Sequence, residues 1–325
     1  LFVVAARRPF PTTDGELVLS GLQDPVEVFR DEFGVPHIYA QNQADLFYAQ
    51  GYVTAQDRFW QMEFWRHTGQ GRLSEIVGEA TLDSDKFIRT MGWNRMAADT
   101  LAYYKEEQPE YYELLEAYSR GVNAYIDENR DNLSLNQTIL ELVGDPWEIE
   151  PWTPLHTVSW GVVMSYDLSG REMFREINRA RLIREFGEAN IATWLPFYPY
   201  DERPVIAPMN ELTSVLPEEE SRLDGETAVS QTINWQNVNL DIIGQAPVTF
   251  GAGDFVGSNN WVVSGDHTAT GQPLLANDPH LGVQLPSIWY EVGLHAPGFD
   301  VTGFSFAGVP GVIIGHNEHI AWGVT

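Results

Sequence analysis

The 325 residues contain no cysteine. Disulfide staples, thiolate metal centres and a cysteine nucleophile are therefore excluded, and the chain suits an oxidising or a reducing compartment equally. Basic residues are scarce as well: 19 Lys and Arg stand against 46 Asp and Glu, a net charge of −27. Such a surface repels phosphate backbones and anionic lipid, which argues against a nucleic-acid partner and against membrane attachment of the mature body. No apolar run approaches the roughly 20 residues that a membrane helix needs. The opening LFVVAARRPFP is a short apolar stretch ahead of Arg7, Arg8 and Pro9. It reads either as a first strand or as the tail of a signal or anchor segment; the second reading predicts a periplasmic or extracellular protein. Neither an internal repeat nor a G-x-S-x-G elbow is found.

Apolar side chains are plentiful at 43%, with 11 Trp, 13 Tyr and 16 Phe, enough for the core of one large or two ordinary domains. Between residues 15 and 40, β-rich runs punctuated by Gly and Pro predict short strands and a hairpin. Asn42 with Asp45 three residues on resembles a capping box, and the aromatic-rich segment up to Gly69 and Gly71 predicts one or two buried helices. Pro109 sits at a helical first turn, after which Leu115, Tyr118, Val122 and Tyr125 fall on one face. Two further helices are predicted, from residue 153 to 168 and from 171 to 186, the second stopped by Gly187. The aromatics of this first block recur at helical spacing, so they read as core rather than as a substrate platform. From about 208 to 257 the composition turns to Glu, Ser, Thr, Asn and Gln, as a solvated linker would. After it come short runs, NNWVVSG to HIAWGVT, that predict an antiparallel meander starting at Gly257 and Ser258.

A serine at the mouth of a strand, behind a glycine, has a specific chemical use. If the chain is cut after Gly257, the hydroxyl and the α-amine of Ser258 belong to one residue. An amine with a pKa near 7.7 is about one-sixth neutral at pH 7 and can serve as the base that a weak hydroxyl nucleophile requires. Gly257 has no Cβ, tolerates strained backbone angles and exposes its carbonyl to the following hydroxyl. The same Gly-Ser-Asn string is also ordinary turn chemistry, and Asn259 and Asn260 fit either a strand entrance or groups that orient Ser258.

Two long stretches, DEFGVPHIYAQNQADLFYAQGYVTAQDRFWQMEFWRHTGQGRLSEIVG and GSNNWVVSGDHTATGQPLLANDPHLG through GHNEHIAWGVT, resemble the penicillin amidase (penicillin acylase) family of N-terminal-nucleophile hydrolases. The resemblance implies an α+β fold, the αββα four-layer sandwich of that class, present here in part. It implies a largely helical α-chain region at 1–209, a linker or spacer at 210–257, and the start of a β chain at 258–325. A self-cleaved precursor would form an α/β heterodimer with its remaining β-chain segment. Carried over by position, Ser258 is the nucleophile, Gly257 precedes the scissile bond, and His280 lies beside the nucleophile, its main chain helping to hold the oxyanion. Leu281, Ile313 and Ile314 match acyl-pocket positions, all aliphatic here. Glu176 matches a carboxylate of a structural calcium site, with an exposed helix residue beside Arg175 and Arg179 as the alternative. His280 also reads as a satisfied loop histidine and His316 as a hairpin-turn residue.

The implied activity is hydrolysis of a small N-acyl amide, with no cofactor for the chemistry and an apolar acyl group preferred. β-Lactam side-chain removal and deacylation of acyl-homoserine lactones or cephalosporins are both open. The sequence ends at AWGVT, before the positions that supply the oxyanion donors and the remaining calcium ligands. Each missing donor is worth about 10² to 10³ in rate, so efficient turnover is not expected of these 325 residues alone. Two other classes stay in play. A Trp-rich, acidic chain also suits a glycosidase, which would depend on a carboxylate and tolerate loss of Ser258. A processing-deficient binding protein on the same fold would keep the Gly257–Ser258 bond.

Overall fold

The structure, a computed structural model, describes residues 10–130, 133–143, 147–195 and 257–325. The expected spacer, apart from Gly257, and the N-terminal residues 1–9 lie outside the described residues. The chain divides into two units, Leu1–Leu168 with Ala246–Thr325, and Ser169–Gln245.

In the first unit, β1 (Glu27–Arg30) and β2 (Pro36–Tyr39) form the expected hairpin and lead into helix α1 (Gln43–Gln70). A short turn of helix, α2 (Ser74–Val77), precedes α3 (Leu82–Met91) and α4 (Trp93–Glu107). Then come α5 (Pro109–Asn129), with Pro109 in its first turn, α6 (Leu135–Val143), and α7, which begins at Pro154 and runs to Phe186. The strands of the last block are β3 (Gly257–Val263), β4 (Leu274–His280), β5 (Trp289–Ala296), β6 (Phe299–Phe306), β7 (Ile314–His316) and β8 (Ala321–Trp322).

Asn42 caps α1 by accepting the Asp45 N–H at 2.8 Å, and its own amide donates to the Asp45 carboxylate at 2.7 Å. Asp45 then accepts the N–H groups of Gln23 and Asp24, both at 2.9 Å, so the cap also holds the approaching chain. The helix is buried nearly all round, which explains why no single polar stripe marks it. It is not straight: Arg58 has non-helical angles, φ −137° and ψ 19°. Two glycines let α1 cross α5 at backbone contact. A Cβ on Gly51 would overlap the Tyr118 carbonyl, and one on Gly121 the Tyr48 carbonyl. The aromatics are core as expected: Trp65 and Trp160 stack at 4.0 Å, and Trp152, Tyr118 and Phe59 are buried.

The sheet departs from the predicted meander. It divides into a six-stranded sheet, ordered β1-β2-β5-β6-β7-β8, and a separate two-stranded ribbon, β3-β4. In the larger sheet β2 runs parallel to β5, pairing His37 with Gly293 and Tyr39 with His295 across most of the sequence. One face of it packs Ile38, Val292 and Leu294, all fully buried, against Leu46, Ala49 and Val53 of α1. Each such side chain contributes about 1.5–3 kcal/mol through burial. This one helical layer on a mixed sheet is the α+β architecture expected.

The second unit contains the C-terminal part of α7 and a short helix α8 (Glu188–Trp194). Here the sequence reading is corrected: α7 is one continuous helix from Pro154 to Phe186, not two. Gly170 costs a helix interior about 1 kcal/mol relative to Ala but keeps its N–H, so it weakens the helix without ending it. Gly187, at φ 83°, does end it. Phe186 meets Trp194 edge-on at 5.5 Å, and Arg179 donates to the Leu195 carbonyl at 2.9 Å.

Candidate active site

The ribbon brings three of the sequence-predicted residues together. Gly257 pairs with His280 and Ser258 with Pro279 in antiparallel register, and residues directly opposite are about 4.5–5.5 Å apart. Side chains alternate along a strand, so Gly257 and His280 lie on one face while Ser258, Asn260, Asn277 and Pro279 share the other. His280 therefore does not offer its imidazole to the Ser258 hydroxyl. The imidazole faces an exposed Asp278 carboxylate at 3.8 Å, beyond hydrogen-bond reach. A Ser-His dyad is not what this ribbon builds.

Gly257 is exposed, and a Cβ placed on it would meet nothing within 4 Å. Pro279, opposite Ser258, has no N–H to give to the ladder.

The aliphatic residues assigned to the acyl pocket stand on two sheets. Leu281 follows β4 on the ribbon and donates its N–H to the Pro279 carbonyl at 3.0 Å. Ile314 opens β7 and is buried, and Ile313 just before it is half-buried. The Ile313 N–H donates to Phe304 at 2.8 Å, and its carbonyl accepts from the Trp322 indole at 2.9 Å.

The loop from β6 to β7 that delivers these isoleucines is held by three helices. Gln50 of α1, only 1% exposed, donates to the Gly311 carbonyl at 3.0 Å and accepts the Gly311 N–H at 2.8 Å. Tyr118 of α5 accepts the Gly308 N–H at 3.1 Å, and Thr157 of α7 donates to the Gly308 carbonyl at 2.7 Å. Burial, opposed in part by hydrogen bonds with Thr54 and Gly308, pushes the Tyr118 phenol well above its usual range, so it stays neutral. Gln50 and Thr157 were not singled out from the sequence, and Tyr118 was read there only as part of a buried helix face. Their one signal is a polar group at an apolar helix position, which becomes readable only when its backbone partner is known.

Glu176 is exposed and lies in the second unit. Among the described residues no group of three or more His, Asp or Glu converges on one point. Calcium takes six to eight oxygen ligands, so the described residues do not by themselves make a calcium site. His316 closes β7, paired with Ala321, as the hairpin reading expected. A cavity of about 230 Å³ lies elsewhere, under residues 12–22, lined by Leu22, Val26, Arg30, Tyr48 and Tyr52.

The penicillin amidase family model matches residues 25–325. An acyl-homoserine lactone acylase, QuiP, of Pseudomonas aeruginosa is 33% identical over 97% of this chain and 34% of its own length. Penicillin acylase 2 proenzyme of Pseudomonas sp. strain SE83 is 31% identical over 99% of this chain and 38% of its own. A solved structure of a thermostable penicillin G acylase from Alcaligenes faecalis is 24% identical, with a TM-score of 0.45, over 57% of this chain and 97% of that one. The chain thus spans about a third of the length of the curated relatives it matches. With the family's pattern matched from the β1 hairpin through the serine ribbon to the last strand, this chain belongs to the penicillin amidase family.

Proposed function

We propose that the full-length protein hydrolyses small N-acyl amides through an acyl-enzyme on Ser258. One observation carries the reading: Ser258 is the second residue of an exposed strand, behind an unencumbered Gly257 and, among the described residues of the ribbon, with no imidazole on its face. Self-cleavage comes first. The Ser258 hydroxyl attacks the Gly257 carbonyl carbon, the C–N bond breaks, and the acyl group moves to oxygen as an ester; water then releases Gly257 as a carboxylate and frees the Ser258 amine. In turnover the same hydroxyl attacks the substrate carbonyl and passes its proton to that amine. The amine returns the proton to the departing nitrogen, and water, activated in turn by the amine, hydrolyses the acyl-serine.

Leu281, Ile313 and Ile314 favour an apolar acyl group. The names of the relatives supply the two substrate classes to test, acyl-homoserine lactones and β-lactams bearing an acyl side chain. The chemistry needs no cofactor. A structural calcium on Glu176 belongs to the same proposal, with its other ligands outside the described residues. So do an α/β heterodimer and a periplasmic or extracellular location.

The test is release of free amine from a long-chain acyl-homoserine lactone and from a phenylacetyl amide by full-length protein and by Ser258→Ala. Hydrolysis by the first and none by the second supports the proposal. Activity that survives Ser258→Ala but dies with a carboxylate would favour the glycosidase-type reading. An uncut, inactive wild type would leave a binding protein.

A further inference from the structure

Asn277 lies in β4 on the face that carries Ser258, opposite Asn260. Its side-chain amide uses every group it has. Nδ2 donates to the Asn259 carbonyl at 3.2 Å and to the Val324 carbonyl at 2.8 Å, while Oδ1 accepts the Val324 N–H at 3.2 Å. A primary amide that exchanges both bonds with one residue's N–H and C=O copies a rung of a β-ladder. Here the rung joins two sheets: β3 and β4 belong to the ribbon, and Val324 follows β8, the last strand of the six-stranded sheet. Gly323 leaves the room for it, since a Cβ there would lie 2.5 Å from Asn277 Cγ.

The ribbon has little else to fix it. None of its residues is buried, and Trp261, Val262 and Leu274 are more than half exposed. An isolated pair of strands is marginally stable in water, so its placement depends on polar contacts such as this one.

We propose that Asn277 is a positioning residue for catalysis: it registers the strand bearing Ser258 against the backbone at Gly323–Val324, so that this segment crosses the nucleophile's face of the ribbon at a fixed distance. The inference rests on Ser258 being the nucleophile. Asn277 itself touches no reacting atom; it acts through the two backbones it joins. Asn277→Asp keeps the shape and the acceptor but sets a carboxylate against two carbonyl oxygens. Gly323→Ala keeps the amide and presses on it from the other side.

Both variants, with Ser258→Ala alongside, are made in the full-length protein. Activity on an N-acyl amide is read per molecule carrying a free Ser258 N-terminus, together with the melting temperature. A misplaced nucleophile costs about 10²-fold in kcat with KM little changed, and we expect that split for both variants. A purely structural contact would lower the melting temperature and the yield without moving kcat per processed molecule, and that result overturns the inference. If one variant fails to fold, the other decides; if neither yields folded enzyme, the contact is structural and the inference falls. Should Ser258→Ala retain activity, the nucleophile reading fails and takes this one with it. Should Ser258→Ala be inactive while both clamp variants turn over normally, only the role of Asn277 is lost.

Discussion

The helical core and the serine ribbon are built in opposite ways. Around α1 the chain is held by packing: Gly51 and Gly121 bring two helix backbones into contact, and Ile38, Val292 and Leu294 lose all exposure to water. Even the buried charges there are spoken for, with Glu63 paired to Arg66 and accepting from the Trp147 indole at 3.2 Å. The ribbon buries none of its residues and is joined to the larger sheet through the Asn277 amide. The core is over-determined, so single contacts there govern stability. On the ribbon, under the proposed function, a single contact would govern where Ser258 stands, with little stability at stake. Strand-to-sheet placement by a few hydrogen bonds leaves Gly257 exposed, as the proposed self-cleavage requires.

The comparison predicts a separation of effects. The largest is on the ribbon: Ser258→Ala in the full-length protein should lower amide hydrolysis by about 10⁴-fold or more and leave the melting temperature unchanged. A variant that lost both would break the distinction. Next, Gly121→Ala drives a methyl into the Tyr48 carbonyl. Overpacking of this kind should cost about 3 kcal/mol in urea unfolding, with turnover per folded molecule preserved. Gln50→Ala strips Gly311 of both its partners in a buried setting. Its cost should be about 2 kcal/mol, and because the same loop delivers Ile313 and Ile314, KM should rise while kcat holds.

The smallest effect is a pH dependence. His156, at the start of α7, accepts the Thr153 N–H on Nδ1 at 3.0 Å, which requires a neutral ring. Burial above all, with Arg66 nearby, lowers its pKa from 6.5 to about 3. The unfolded chain takes up this proton below about pH 6.5, whereas the folded chain stays neutral until about pH 3. Stability present at neutral pH is therefore lost as pH falls through that window, by at most about 1.4 kcal/mol per pH unit for this group. His67, also held low chiefly by burial, acts in the same direction. His156→Gln keeps an acceptor for Thr153 and removes the titration, so the fall in melting temperature between pH 7 and pH 5 should shrink.

Local signals in the sequence were reliable where one element decides its own structure. Asn42 with Asp45 began α1, Pro109 opened α5, Gly187 ended α7, and Tyr118, Val122 and Tyr125 took the buried face. The helices from Leu82 to Glu107 went unread, since only Phe87, Ile88, Trp93 and Ala97 are buried apolar anchors there. Pairing of His37 with Gly293 was invisible because no local period encodes a partner so far along the chain. The division of the last block into ribbon and sheet was hidden for the same reason. At the candidate site, Ser258, Gly257 and His280 were legible as a motif, and their register then separated the hydroxyl from the imidazole. Gln50 and Asn277 were not legible, because an amide that pairs with distant backbone looks like any polar residue until that backbone is in place.

The most direct measurement is the mass and N-terminal sequence of the chains in catalytically active full-length protein. We predict two chains, the second beginning Ser258-Asn259-Asn260-Trp261, and one uncut chain for Ser258→Ala. Amide hydrolysis at full rate by molecules whose Gly257–Ser258 peptide bond is intact would contradict the account.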